Sequence, residues 1–361
     1  MINKIYVKHI FNIYTSRLVY ISLIFCSLIF TMNILEELKF FDKEKNISIG
    51  VPILLTILNL PSILFEIFPF IILITTQFFF IKFQSNDELL IFKNNGINNL
   101  KLVFLISLLV FVVGLFIITI FHFISSNMKY SYLEFKNKYT KDQKYLAVIN
   151  ENGLWIKDNL EDKSMIIHSE KIDKNILRNL IVTVFDEDFR SDQSIIAKEA
   201  VITDKNWKLK EVIITDTNGK RQTIDRYMLK TNFDYAKINS IFSNLGSLNI
   251  IELFKQKSDF ETVGLNVSEI NLHINKIFSI PFSLVIFSLI SSILMFNFDF
   301  KKSKIFMLII GILFSVIIYY IYYFFGLLGN SNKIPITLAI WMPNLILFLI
   351  CSIGIINLNE K

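Results

Sequence analysis

The chain has 361 residues, 53% of them hydrophobic and only 19% charged, with a net charge of +6. Soluble domains carry about 25% charged residues, and a mean hydropathy of +0.51 excludes an ordinary soluble enzyme along with disordered and collagen-like chains. Two cysteines in apolar runs (Cys26, Cys351) and four scattered histidines (His9, His122, His168, His273) offer neither a disulfide framework nor metal-ligand spacing.

A membrane crossing needs about 20 mostly apolar residues in a helix. Leu18 to Leu35 is uncharged, between Arg17 and Glu36. A secretory signal is excluded because Glu36-Glu37-Leu38-Lys39 follows where a small-residue cleavage site would stand. The run from Asn46 to Ile81 contains Pro52, Pro61 and Pro69. It predicts a short interfacial segment near 51–60 and then a crossing from Ser62 to Lys82. Leu102 to Met128, Ile277 to Phe298, Ile305 to Asn332 and Ile334 to Asn359 give four more. The expected fold class is an α-helical polytopic membrane protein with six transmembrane helices and an inserted all-β domain. The expected parts are 1–126 with three crossings, a middle domain at 127–265, and 266–361 with three more.

Orientation follows from the basic residues beside the crossings. With the N-terminus in the cytoplasm, that side holds Lys4, Lys8, Arg17, Lys82, Lys93, Lys101, Lys301, Lys302, Lys304 and Lys361. The other side holds Lys39, Lys43, Lys45, Lys276 and Lys333. Ten against five favours cytoplasmic termini and an extracytoplasmic middle domain. Residues 127–265 contain 22 basic and 21 acidic residues, so +5 of the +6 belongs to the membrane portion. The positive charge therefore reads as topology, and no nucleic acid is expected as a partner.

Within the middle domain the apolar runs become short and alternating. Strands are expected at Tyr145–Ile149, Leu154–Lys157, Met165–Ser169, Leu180–Phe185, Ser194–Ile202, Trp207–Leu209, Lys210–Ile214 and Arg221–Lys230, with Asn218-Gly219 as a hairpin turn. Such spacing predicts an antiparallel, jelly-roll-like sheet. Asn127 to Tyr139 reads as a polar helix, and residues 248–257 as a short amphipathic one. Trp155 and Trp207 are expected in the core or at an edge of the sheet.

Phosphate-binding and hydrolytic motifs are missing: there is no G-x-x-x-x-G-K-[ST], no H-E-x-x-H and no G-x-S-x-G. This argues for a non-catalytic chain without a bound cofactor, whose energy comes from another subunit. Glu66 is the one clear charge inside a crossing. It either snorkels to the interface or faces a polar cavity. Gly326 and Gly329 would allow close helix approach in the fifth crossing.

Between the second and third crossings, Asn86 or Asp87 can cap a helix N-terminus and Gly96 can end it, giving a short helix at about 86–96. Leu89, Leu90 and Phe92 put apolar surface on a segment that faces water. The helix either packs on lipid and neighbouring segments or docks a cytoplasmic partner.

These residues carry a resemblance. Asp87-Glu88-Leu89, followed by Lys93 and Gly96-Ile97, resembles the coupling helix of the LptF/LptG lipopolysaccharide export permeases. Gly153-Leu154-Trp155-Ile156-Lys157-Asp158 resembles the opening of their periplasmic domain, more like LptG than LptF. Leu272-His273, then Lys276-Ile277-Phe278-Ser279 and Pro281, resembles their approach to the fourth crossing. The resemblance covers essentially the whole chain and implies a Gram-negative inner-membrane protein. Its implied partners are an LptF-like second permease, an LptB-like ATPase dimer that uses ATP and Mg, LptC/LptA-like jelly-roll anchor and bridge proteins, and lipopolysaccharide itself. Asp87, Glu88, Leu89, Phe92 and Gly96 would then couple to the ATPase. Gly153, Trp155 and Lys157 would mark the periplasmic domain. Asn33, Glu36, Lys39, Ser62 and Glu66 are candidates for lining the lipid cavity. One departure stands out: family members often carry basic residues near the outer ends of the first two crossings, where this chain has Asn33, Glu36, Ser62 and Glu66. Fewer phosphate contacts are therefore expected. The competing readings are a membrane-anchored sensor or scaffold that binds through its β domain, and a mechanical ABC permease for another lipid or a lipoprotein.

Overall fold

The computed structural model describes residues 4–42, 48–85, 88–137, 146–150, 153–160, 163–173, 175–186, 190–217, 219–235, 238, 244–263, 267–297, 304–331 and 333–359. Asn86, Asp87 and Asn218, and the predicted strand start at Tyr145, lie outside these residues. The chain divides into two compact units, Met1–Tyr132 with Leu272–Lys361, and Leu133–Asn271.

Among the described residues, six helices are long and apolar enough to cross a membrane. The first is α1 (Lys4–Phe41) and the second α2 (Gly50–Ser85). A short helix, α3 (Glu88–Asn94), follows. The third crossing joins α4 (Asn99–Phe116) through a π-helical turn, Ile117–Phe121, to α5 (His122–Asn137). After the β domain and α6 (Ile250–Val263) come α7 (Ser268–Asn297), α8 (Lys304–Asn330) and α9 (Ile336–Asn359).

The expected break near residue 60 is absent. The interfacial segment and the second crossing are one helix of 36 residues, with Pro61 and Pro69 inside it. Proline removes one helical hydrogen bond, but in an apolar surround any break exposes more unsatisfied backbone than the proline does, so the helix continues. Likewise the polar helix expected at 127–139 is the continuation of the third crossing. The membrane helices meet where small residues let backbones approach. A Cβ on Gly114 would lie 2.7 Å from the Cα of Pro281, and one on Gly329 would lie 2.7 Å from the Ala339 Cβ. A Cβ on Gly326 meets nothing within 4 Å, so only Gly329 of the expected pair makes a close approach. Gln77 of α2 donates through Nε2 to the Met307 carbonyl of α8 at 2.9 Å, over Gly311.

The inserted unit is one seven-stranded antiparallel sheet in the order β1 to β7. Its strands are β1 (Leu146–Asn150), β2 (Gly153–Leu160), β3 (Lys163–Asp173), β4 (Ile176–Phe185), β5 (Ser191–Val201), β6 (Asn206–Asp216) and β7 (Arg221–Lys230). Most strands run longer than the alternation predicts, and Trp207–Leu209 and Lys210–Ile214 are one strand. The cause is a crease that crosses β3 to β7. The ladders skip Glu170 opposite Asn179, Lys198 opposite Glu211, and Asp225. Asn179 and Glu211 adopt positive φ, 53° and 51°. At the crease two successive residues face outward, so the inward positions are spaced by three: Ser169 and Ile172, Leu177 and Leu180, Ala197 and Ala200, Leu209 and Val212. The outward pairs are polar and bond across strands. Asn179 Nδ2 donates to Glu170 Oε2 at 2.6 Å, and Lys198 Nζ donates to Glu211 at 3.1 Å. The bend lets one face of one sheet close on itself around a single core that includes Leu154, Ile167, Val182, Ile195, Trp207 and Phe233.

That closure is sealed by Asp158. Its buried carboxylate in β2 accepts from the Asn232 backbone N–H at 2.8 Å and from Asn232 Nδ2 at 2.9 Å, just past β7. Trp207 Nε1 donates to the Phe233 carbonyl at 2.8 Å in the same segment. Helix α6 begins with a reciprocal cap: Asn249 Oδ1 accepts from the Glu252 N–H, and Glu252 accepts from the Asn249 N–H.

Candidate functional site

Helix α3 is only seven residues long, too short to persist by propensity alone. Its C-terminus is fixed by a Schellman motif. The Ile97 N–H bonds the Phe92 carbonyl at 3.0 Å, and the Gly96 N–H bonds the Lys93 carbonyl at 3.0 Å. Gly96 supplies the required left-handed conformation at φ 78°. Phe92 and Ile97 are both buried, which adds the apolar contact that accompanies this motif.

One face of α3 is locked to the beginning of α1. The Phe92 ring packs 5.2 Å from Tyr6, 6.5 Å from His9 and 4.9 Å from Phe83 of α2. His9 Nε2 meets Glu88 Oε2 at 2.9 Å, with the Glu88 side chain only 18% exposed. Leu89 is half-buried against the same cluster. Phe92 is 5% exposed, so it does not offer the apolar docking surface expected of it. The outward surface belongs to Leu90, 59% exposed, and Ile91, 54% exposed. Sequence reasoning named Leu90 as apolar but did not single out this pair, because the side that α1 covers is set by residues some 80 positions away.

At the other end of α1 lies a second polar cluster. Asn33 is buried and its Oδ1 accepts from Asn59 Nδ2 of α2 at 3.4 Å. Lys129 Nζ donates to Asn59 Oδ1 at 2.6 Å and stands 4.7 Å over the Tyr132 ring. Tyr132 donates to Glu37 Oε1 at 2.8 Å, and Glu37 is 1% exposed. Of the five cavity candidates, only Asn33 joins this cluster. Glu36, Lys39 and Glu66 are exposed, and Ser62 is half-buried. Asn59, Lys129, Glu37 and Tyr132 went unnoticed in the sequence. The available signal was the one-turn spacing of Asn33 and Glu37 on a single helix face.

In the β domain, Gly153 has φ 115°, and any Cβ there would strike the Ser169 carbonyl. Lys157 is half-buried. Trp155 is 40% exposed and stacks on His168 at 4.1 Å, on the outer face of the sheet. Trp207 alone of the expected pair belongs to the core. Among the described residues no group of three or more His, Cys, Asp or Glu side chains is arranged to hold a metal ion.

Six crossings divided three and three by a creased antiparallel domain, with a capped short helix between the second and third, define a multi-pass membrane protein with an inserted β domain. The chain belongs to the lipopolysaccharide export system permease LptF/LptG family, whose profile matches residues 8–357. No curated protein matches the chain.

Proposed function

We propose that this chain is one of two permease subunits of an ABC transporter that lifts lipopolysaccharide out of the inner membrane and passes it to a periplasmic bridge. Family membership supports the permease role in lipopolysaccharide export. The observation that carries the mechanical part is α3. Its inner face is fixed by the Schellman motif and the Phe92 contacts, while Leu90 and Ile91 point outward. A rigid short helix with an apolar outward pair fits a groove on a cytoplasmic ATPase. That ATPase, present as a dimer, would use ATP and Mg and supply the work. The second permease, LptF-like where this chain is LptG-like, would complete the lipid cavity. The open edges of the sheet, β1 and β7, would receive a bridge domain of the same architecture by strand addition.

The reading requires α3 in the cytoplasm and the β domain in the periplasm, which the ten-to-five distribution of basic residues supports. Two measurements test it. Replacing Leu90→Asp together with Ile91→Asp removes the outward apolar pair and is expected to abolish co-purification of the ATPase while the permease still inserts. Undiminished recovery of the ATPase rejects the docking role. Single cysteines at Asn95 and Thr217, in a background without Cys26 and Cys351, are expected to react with an impermeant thiol reagent in spheroplasts only at 217. Labelling at 95 alone rejects the orientation.

A further inference from the structure

We propose that His9 is a positioning residue that fastens α3 to α1, so that a pull on α3 is carried along α1 to the Asn33–Glu37 cluster at its far end. The proposal rests on the docking role of α3 given above.

Three observations carry it. The first is the clasp itself. His9 Nε2 lies 2.9 Å from Glu88 Oε2, and Tyr6 and His9 pack on Phe92, so α1 holds both the first and second turns of α3. One oxygen of Glu88 is therefore engaged within the chain. The second is the lever. α1 runs as 38 residues, Lys4–Phe41, without a glycine or proline. At 1.5 Å per residue this is roughly 57 Å of helix with no built-in hinge. One side of its middle is bare, with Val19, Tyr20, Leu23 and Leu28 all more than half exposed, while Tyr14 and Phe25 pack on Thr76 and Phe70 of α2. The third is the far anchor. Asn33 and Glu37 tie α1 to Asn59 of α2 and Tyr132 of α5. An unbroken rod gripped at both ends carries displacement from one grip to the other. The alternative route, through α2, has Pro61 and Pro69 inside the helix.

His9 stands 79 residues from Glu88 in sequence and is half exposed, so its removal leaves the Schellman motif and the buried Phe92 to hold the shape of α3. His9→Ala is expected to uncouple the machine without detaching the ATPase. His9→Gln keeps a side-chain N–H donor that can reach Glu88, and is expected to restore coupling.

The test uses the complete permease–ATPase complex in proteoliposomes loaded with lipopolysaccharide. Three quantities are read: ATPase recovered with the permease, ATP hydrolysed, and lipopolysaccharide released per ATP. For His9→Ala the first two should match wild type. Release per ATP should fall at least about fivefold, the low end of coupling between two sites, and His9→Gln should recover most of it. Unchanged release per ATP in His9→Ala overturns the proposal. So does a loss of ATPase recovery that parallels the loss of release, since His9 would then only shape the docking surface. Failure of His9→Gln to recover release also overturns it. The Leu90→Asp, Ile91→Asp variant run beside them separates this result from the docking reading: if that variant keeps its ATPase, the docking reading has failed, whatever His9 does.

Discussion

Both units of this chain bury apolar side chains, but the membrane unit buries many more polar ones among them. Inside the β domain the buried side chains are almost all apolar, and the polar exceptions are bonded: Asp158 to Asn232, Ser169 to the Arg178 carbonyl, Thr231 to the Phe233 carbonyl. In the membrane unit Thr76, Gln77, Ser291, Ser292 and Asn344 are buried, while Leu23, Phe104, Leu108, Tyr319 and Phe324 face outward. The difference is the solvent. In water, burying apolar surface stabilises by about 25 cal/mol per Å². In lipid that gain vanishes, and helices are held by close approach and by hydrogen bonds such as Ser291 Oγ to the Leu73 carbonyl at 3.1 Å. The coverage of single helices shows the same logic: the most apolar stretch of α7 is 67% buried and that of α1 only 11%. α7 is a central packing element. α1 leaves most of its surface uncovered by the rest of the chain.

This comparison can be broken by substitution in the purified chain, followed by thermal unfolding in detergent. The largest effect is expected for Trp207→Ala in the β domain. It empties a fully buried site and removes one of the two donors to the Phe233 carbonyl, at a cost of about 3–5 kcal/mol. Asp158→Ala is next. It leaves the Asn232 N–H groups without their charged acceptor, and about 1.5–3 kcal/mol is expected, read best as protease sensitivity of the segment after β7. Gly114→Val forces α4 away from Pro281 and is expected to cost about 1–3 kcal/mol in the membrane unit. Leu23→Ala, which removes as many apolar atoms as many core truncations, should change stability by less than about 0.5 kcal/mol, because Leu23 is 63% exposed to the apolar phase. A loss at Leu23 comparable to that at Trp207 would contradict the comparison outright.

The crossings were legible in the sequence because each is an uninterrupted apolar run. The second was misjudged at Pro61, where a rule learned from water-exposed helices does not hold in lipid. The strands were legible on either side of the crease but not through it. At Lys210-Glu211 and at Glu170-Lys171 the inward spacing changes from two to three, so strict alternation splits β6 and stops β3 at Ser169. The same signature, two polar residues between two inward ones, recurs at Glu170-Lys171, Arg178-Asn179, Lys198-Glu199, Lys210-Glu211 and Asp225-Arg226. Its repetition in five successive strands marks a bend rather than five strand ends. Gly96 and its helix were readable from local chemistry. The outward face of α3 was not, because it is defined by what covers the other face, and Tyr6 and His9 are remote in sequence. Asn33 was named for a cavity, yet its partner Asn59 and Asn59's own partner Lys129 come from two other helices that no local pattern connects.

On the docking role proposed for α3, the helix meets the ATPase with Leu90 and Ile91 while Phe92 stays inside. A photoreactive amino acid placed singly at positions 90, 91 and 92 of the permease, in cells that express the whole transporter, tests this directly. Crosslinks to the ATPase are expected at 90 and 91, and none at 92. Crosslinking at 92 with none at 90 or 91 would contradict the account.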